Sequence, residues 1–203
     1  MEKTDDILYF KTSPLLKNNQ AILTGIELSL KKGSWTALMG KSGVGKTLLL
    51  KSISQLKNNI SYIGQNDRLI PWLTLSKNIS LASLLCKKNT SKNSVQSLLK
   101  MIKLQGYENA FPHKISYGMQ TRVLLARALY QGGEVFLLDE IFNGLDDETK
   151  ENVYTSIQSI LKDKTIFLVT HNKTDALRMT SSIYELEGRP ATLKRLNLKG
   201  DTA

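Results

Sequence analysis

The segment Gly40–Thr47, GKSGVGKT, limits what this chain can fold into more than any other stretch of it. It satisfies G-x-x-x-x-G-K-[ST] at every fixed position, and it sits between the apolar run SWTALM (34–39) and the helical run TLLLKSISQL (47–56). Strand, glycine loop and helix must therefore follow one another here. Gly40, Gly43 and Gly45 let the backbone curl so that consecutive N–H groups face an anion, and the start of the helix adds a favourable dipole. Lys46 then supplies a point charge for β and γ phosphates, and the Thr47 hydroxyl is a ligand for Mg2+. Lys41, Ser42, Val44 and Leu48 complete the candidate phosphate-binding set. The pattern predicts nucleotide binding.

The rest of the chain reads as layers around that loop. Apolar runs at 60–64 (ISYIG), 134–140 (EVFLLDE), 165–171 (TIFLVTH) and 182–188 (SIYELEG) are short and not strictly alternating, as strands buried on both faces are. Helical patterns lie between them. The clearest is Glu148–Lys162, with Val153, Ile157, Ile160 and Leu161 on one stripe. Strand, helix, strand predicts an α/β domain. Residues 75–111 instead show helical periodicity and no strand signal, which predicts a small helical lobe inserted in the α/β core. At the N-terminus ILYFK and GIELSLKKG read as strands joined by the turn-rich SPLLKNNQ, an antiparallel edge.

Composition narrows the surroundings. The 203 residues suit one domain, and 28 Lys+Arg against 18 Asp+Glu give a net charge of +10. The positives are scattered (Lys31, Lys32, Lys87, Lys88, Lys92, Lys100, Lys194, Arg195, Lys199) with no interleaved aromatics, so a solubilising surface is favoured over a nucleic-acid platform. Cys86 is the one cysteine, which excludes an internal disulfide and favours a reducing compartment. The acidic start MEKTDD is no leader peptide, and runs such as VFLL (135–138) fall far short of the ~20 residues of a bilayer span.

Asp139 ends the run VFLLD, which places a carboxylate at the carboxyl end of a buried strand, where ligands of open α/β sheets sit. It is the candidate carboxylate toward Mg2+. Glu140 follows as a candidate general base for a water attacking the γ phosphate.

Together these motifs resemble the nucleotide-binding domain of the ATP-binding cassette (ABC) family, over about residues 22–187. The distinguishing piece is ISYGMQTRVLLARAL (115–129), which resembles the family's L-S-G-G-Q signature followed by a helix, here from about Gln120. The resemblance implies a P-loop NTPase core with a mixed central sheet, an antiparallel N-terminal edge and a helical subdomain at about 72–130, all in a single domain spanning 1–203. It implies ATP and Mg2+ as ligands. Ser116, Tyr117, Gly118 and Met119 would meet the γ phosphate of ATP held by the other subunit of a head-to-tail dimer, with Ser116 as helix N-cap. Gln65 matches the glutamine that touches Mg2+ and the attacking water. Asn143–Asp146 matches the loop that crosses the dimer interface, with Asp146 counted among the nucleotide contacts. His171 matches the switch histidine, whereas His113 reads as a loop residue.

QNDRLIPWLTLSKNI (65–79) resembles the corresponding region of nitrate-, sulfonate-, taurine- and thiamine-precursor-type importers. Pro71, Trp72 and Leu73 would line the groove for a cytoplasmic helix of the membrane subunit. Ordinary packing of the helical lobe is the other reading of Trp72. The implied assembly is a second cassette, two integral membrane permease subunits and a substrate-binding protein, at the cytoplasmic face of the cell membrane, with no specific nucleic acid. The alternatives are the cassette of an exporter or lipid-handling system, or a soluble non-transport ATPase.

Departures from the family pattern are also specific. Only 18 residues separate Lys46 from Gln65, about half the usual spacing, which predicts loss of an antiparallel strand pair. Tyr117 and Met119 replace a signature glycine and glutamine, and Ile141 replaces a proline. No aromatic occupies Leu16 or Lys17, where one would stack on adenine, and Tyr9 and Phe10 are weak substitutes.

Overall fold

Strands form where the sequence can cover both of their faces. The computed structural model describes residues 7–17, 20–56, 59–81 and 94–196. Its strands are β1 (Ile7–Lys11), β2 (Leu15–Lys17), β3 (Gln20–Leu23), β4 (Glu27–Lys31), β5 (Trp35–Met39), β6 (Ile60–Ile63), β7 (Val135–Asp139), β8 (Thr165–Val169), β9 (Ile183–Gly188) and β10 (Ala191–Leu196). Its helices are α1 (Lys46–Ser54), α2 (Leu75–Ile79), α3 (Val95–Met101), α4 (Tyr117–Tyr130), α5 (Asp147–Ile160) and α6 (Lys173–Met179).

One eight-stranded sheet runs β2-β3-β10-β9-β5-β8-β7-β6. From β9 to β6 the neighbours are parallel, whereas β9–β10 and β2–β3 are antiparallel, so the sheet is mixed as expected. Every residue of β7 and β8 is buried. The period of two sends Phe136, Leu138, Ile166 and Leu168 to one core with α4 and α5, and Val135, Leu137, Phe167 and Val169 to a second core with α1. Each fully buried apolar side chain contributes roughly 1.5–3 kcal/mol.

The N-terminal edge differs from expectation in detail. ILYFK and ELSLK do pair antiparallel, as β1 and β4, but as a separate two-stranded sheet. The segment read as a turn carries β2, which with β3 forms the antiparallel edge of the main sheet. The alternation of β4 explains this: Leu28 and Leu30 face the α1 core with Phe10, so the pair lies over the main sheet instead of extending it. β10 had no counterpart in the sequence reading, because Thr192, Lys194 and Arg195 break up its apolar signal.

Between α1 and β6 the chain has room for no strand pair, in keeping with the short spacing. Among the described residues between β6 and β7 there is no strand, and α2 packs on α4 and α3 on both. The helical reading of 82–85, Cys86, the basic residues Lys87, Lys88, Lys92 and Lys199, and the MEKTDD start lie outside the described residues.

Two helices start or end away from their expected positions. α5 covers Asp147–Ile160, with Val153, Ile157 and Ile160 buried as the stripe required. α4 begins at Tyr117, three residues before Gln120, because the Ser116 side chain caps it by accepting from the Met119 N–H at 3.3 Å. His113 is in a short 3-10 turn, Pro112–Lys114, stacked on Phe111 with ring centroids 5.9 Å apart.

Candidate functional site

The glycine loop joins β5 to α1 at the carboxyl edge of the parallel strands. Gly40 and Gly45 are the positions that only glycine can hold. Gly40 has φ +152, and a Cβ there would stand 2.7 Å from the Leu186 carbonyl oxygen; Gly45 has φ +113, and its Cβ would meet Leu23 Cδ2 at 2.9 Å. The loop is thereby folded tightly over the Lys46 side chain. Lys46 is 5% exposed, and its ammonium donates to the carbonyls of Gly40 (2.9 Å) and Lys41 (3.2 Å). Lys41, Ser42, Gly43 and Thr47 are exposed along the loop and helix start, Val44 is half-buried, and Leu48 packs partly against the α1 core. α1 has no side-chain cap. Its first N–H groups are therefore left for an anion.

Strand order brings the acidic pair to the same place. β5, β8 and β7 are adjacent, so Lys46, His171 and Glu140 converge although far apart in sequence. Glu140 Oε1 lies 3.4 Å from Lys46 Nζ and 3.6 Å from His171 Nδ1. Glu140 sits at φ +50, a left-handed conformation costing about 1 kcal/mol for a side chain of this kind, while its N–H still bonds to the Val169 carbonyl at 2.9 Å. That turn aims the carboxylate back over the loop. Its second oxygen, Oε2, accepts from Asn143 Nδ2 at 2.6 Å, a contact that the sequence pattern does not foretell. Ile141, in the proline position, is buried in the core with Phe142.

Asp139 is fully buried. Its Oδ2 accepts from the Tyr62 hydroxyl at 3.0 Å, and its Oδ1 has no hydrogen-bond partner. Burial pushes this carboxyl above the usual range, opposed by the Thr47 and Tyr62 hydroxyls and the Lys46 charge. A buried carboxylate oxygen without a partner, beside the Thr47 hydroxyl, suits a hard divalent cation. Among the described residues no cluster of three or more His, Cys, Asp or Glu exists, so a cation here would complete its shell with phosphate oxygens and water, as Mg2+ does.

The remaining candidates are placed at some distance from this centre or have other local uses. Gln65 is exposed just past β6 and lines a small crevice with Tyr117 and Ile141. Asp146 caps α5, accepting from the Thr149 N–H (2.9 Å) and hydroxyl (2.7 Å), which hold its carboxyl below the ordinary range. Ser116, Tyr117, Gly118 and Met119 line a cavity of about 530 Å3 between α4 and α5, with Arg122 and Asn152 on its walls. Leu16 is 63% exposed at the sheet edge, and Tyr9 is on the separate β1–β4 pair.

Trp72 is 77% exposed, which removes the packing reading. It is held out by Asn78, which sequence reading missed. The buried Asn78 amide bonds to the Ile70, Leu73 and Thr74 carbonyls and the Ile70 N–H, at 2.7–3.1 Å.

Known proteins resemble the chain in both sequence and fold. The family profile described as ABC transporter matches residues 23–59 and 52–143. An aliphatic sulfonates import ATP-binding protein of Bacillus subtilis (strain 168) is 34% identical over 195 residues, covering 86% of this chain and 76% of the relative. The protein so described in Pseudomonas syringae pv. syringae (strain B728a) is 31% identical over 185 residues, covering 85% and 77%. Among solved structures, an ATP-binding cassette of an ABC transporter in its ADP conformation aligns with TM-score 0.76 at 19% identity, covering 93% of this chain and 89% of that one. A dimeric post-hydrolysis cassette bound to ADP and Pi aligns with TM-score 0.69 at 24% identity, covering 95% and 97%. These two share the fold.

Proposed function

The chain belongs to the ABC transporter family, and from that premise we propose that it is the ATP-hydrolysing subunit of a bacterial importer of the sulfonate type. The observation that carries the chemistry is the convergence of Lys46, Glu140 and His171 over the glycine loop, beside the buried Asp139. The import ATP-binding proteins to which the chain is similar favour an importer over the exporter, lipid-handling and non-transport readings.

In this reading the loop N–H groups and the start of α1 take the phosphates, and the Lys46 ammonium exchanges the Gly40 and Lys41 carbonyls for phosphate oxygens. Thr47 and Asp139 would hold Mg2+, with Gln65 as a further ligand, and the bound ion would supply charge neutralisation for the phosphates. Once Lys46 has moved to phosphate, Glu140 is free to accept a proton from the attacking water while His171 orients the γ phosphate. The water oxygen bonds to the γ phosphorus, the bond to the β–γ bridging oxygen breaks, and ADP and phosphate leave.

Ser116–Met119 would close on the nucleotide of a second cassette, with Asn143–Asp146 at the interface. Residues 72–130 act as the helical subdomain of a single cassette domain, and exposed Trp72 on its braced turn is the docking point for a permease helix. Among the described residues no helix is long and apolar enough to cross a membrane. The place of work proposed is the cytoplasmic face of the membrane, beneath permease subunits fed by a substrate-binding protein. Co-expression with permease subunits of a sulfonate-type importer tests the reading: the wild type should co-purify and hydrolyse ATP, and Lys46→Ala should co-purify without hydrolysis. Equal turnover by Lys46→Ala would overturn it.

A further inference from the structure

The two oxygens of Asp139 have different surroundings. Oδ2 is occupied by the Tyr62 hydroxyl at 3.0 Å, and Oδ1 is buried with nothing bonded to it. Tyr62 and Asp139 are 77 residues apart, and they meet because β6 and β7 are parallel neighbours, with Tyr62 opposite Leu137. A carboxylate oxygen accepts, so the phenol O–H of Tyr62 is the donor in this contact.

The ring is located by the chain that follows it. A Cβ on Gly64 would stand 3.0 Å from Tyr62 Cε1 and 3.1 Å from its hydroxyl oxygen. Any larger residue at 64 would have to push the phenol off its present position. The Gly64 turn is itself fixed, because its N–H donates to Asp67 Oδ2 at 3.0 Å and its carbonyl accepts from the Asp67 N–H at 3.0 Å. Gln65 is the next residue along. A short rigid path therefore runs from the turn at Gly64, through the Tyr62 ring, to one oxygen of the carboxylate.

We propose that Tyr62 is a positioning residue for the metal carboxylate: its hydroxyl engages Oδ2, fixes the rotation of the Asp139 side chain and leaves Oδ1 as the oxygen offered to the divalent cation that arrives with the nucleotide, with Gly64 setting the ring. The inference rests on the reading of Asp139 as the carboxylate that faces Mg2+. Groups that orient metal ligands typically change metal affinity 10–100-fold when removed.

The test uses the full chain and a fluorescent ATP analogue, titrated first in EDTA and then with MgCl2 at fixed nucleotide. Tyr62→Phe should leave the affinity in EDTA unchanged and raise the Mg2+ concentration at half-effect about tenfold. ATP turnover should recover substantially at high Mg2+. Gly64→Ala keeps the hydroxyl but displaces the ring, and it should shift the Mg2+ midpoint in the same direction by a smaller factor. A purely structural role for Tyr62 would lower the melting temperature and weaken both titrations alike, and that outcome would overturn the proposal. Asp139→Asn separates the premise from the inference. An unchanged Mg2+ midpoint in Asp139→Asn defeats the metal reading of Asp139 itself, whereas a shift in Asp139→Asn with none in Tyr62→Phe or Gly64→Ala defeats only the role of Tyr62.

Discussion

The glycine-loop end and the Ser116 end of this molecule are both built on the start of a helix, yet they are finished differently. At the first, α1 has no side-chain cap, and the charged groups around it are already interlocked: Lys46 on two carbonyls and near Glu140, Glu140 between His171 and Asn143. At the second, Ser116 spends its own hydroxyl capping α4, and the groups around it line an open cavity of about 530 Å3. One end holds its charged groups in place by contacts within a single chain, braced by strands buried on both faces. The other lines an open cavity whose facing wall is α5. Buried, parallel strands tolerate concentrated charge at their ends because the backbone there is over-determined; a helix start on the surface has no such support.

The sharpest way to break this contrast is at Glu140. Glu140→Gln keeps the shape and the Asn143 contact but removes the proton acceptor, so ATP turnover should fall by roughly 10^2–10^4-fold with nucleotide affinity retained. Steady-state ATPase and equilibrium binding read the two quantities separately, and a turnover within tenfold of wild type would mean that Glu140 is not the base. A second prediction concerns the charge stored at Asp139. Its carboxyl is raised in the folded chain. The metal-free protein therefore loses stability as pH rises from the ordinary aspartate range through that raised value, and it is least favoured above it. Asp139→Asn should be more stable than wild type at neutral pH without metal, by roughly 1 kcal/mol or about 2–4 °C in melting temperature, and should lose that advantage in acid. Melting curves against pH in EDTA measure this, and a variant less stable than wild type at every pH would refute it. The smallest effect is expected at the open end. Ser116→Ala removes a helix cap and should cost about 1 kcal/mol in stability while leaving nucleotide binding by the isolated chain unchanged. A loss of nucleotide affinity in that monomeric assay would erase the distinction between the two ends.

Legibility in the sequence followed the range of the interaction. GKSGVGKT could be read because its geometry depends on eight consecutive residues and on the left-handed φ values of its glycines. The strands could be read because a run buried on both faces must be apolar throughout, as β7 and β8 are. β2 is three residues beside a proline and carries no periodicity, and in β10 Thr192, Lys194 and Arg195 interrupt the apolar signal of a strand that lies between β3 and β9. The signature pattern places the helix at about Gln120, whereas the Ser116 cap starts α4 at Tyr117. Asn78 is invisible in sequence for another reason: a single asparagine in a helical pattern looks like solvent exposure, yet it satisfies four backbone groups of one turn.

What the sequence determined by itself was the set of local devices: a loop that curls around phosphate, carboxylates at the end of an apolar run, a serine that starts a helix. Each is settled by a few neighbouring dihedral angles and by the polarity of adjacent residues. What only the tertiary structure decided was which devices meet. The order β9-β5-β8-β7-β6 puts Lys46, Glu140 and His171 over one loop and carries Tyr62 to Asp139 across 77 residues. Strand order is fixed by how two apolar cores are shared among distant segments, and no stretch of eight residues contains that information.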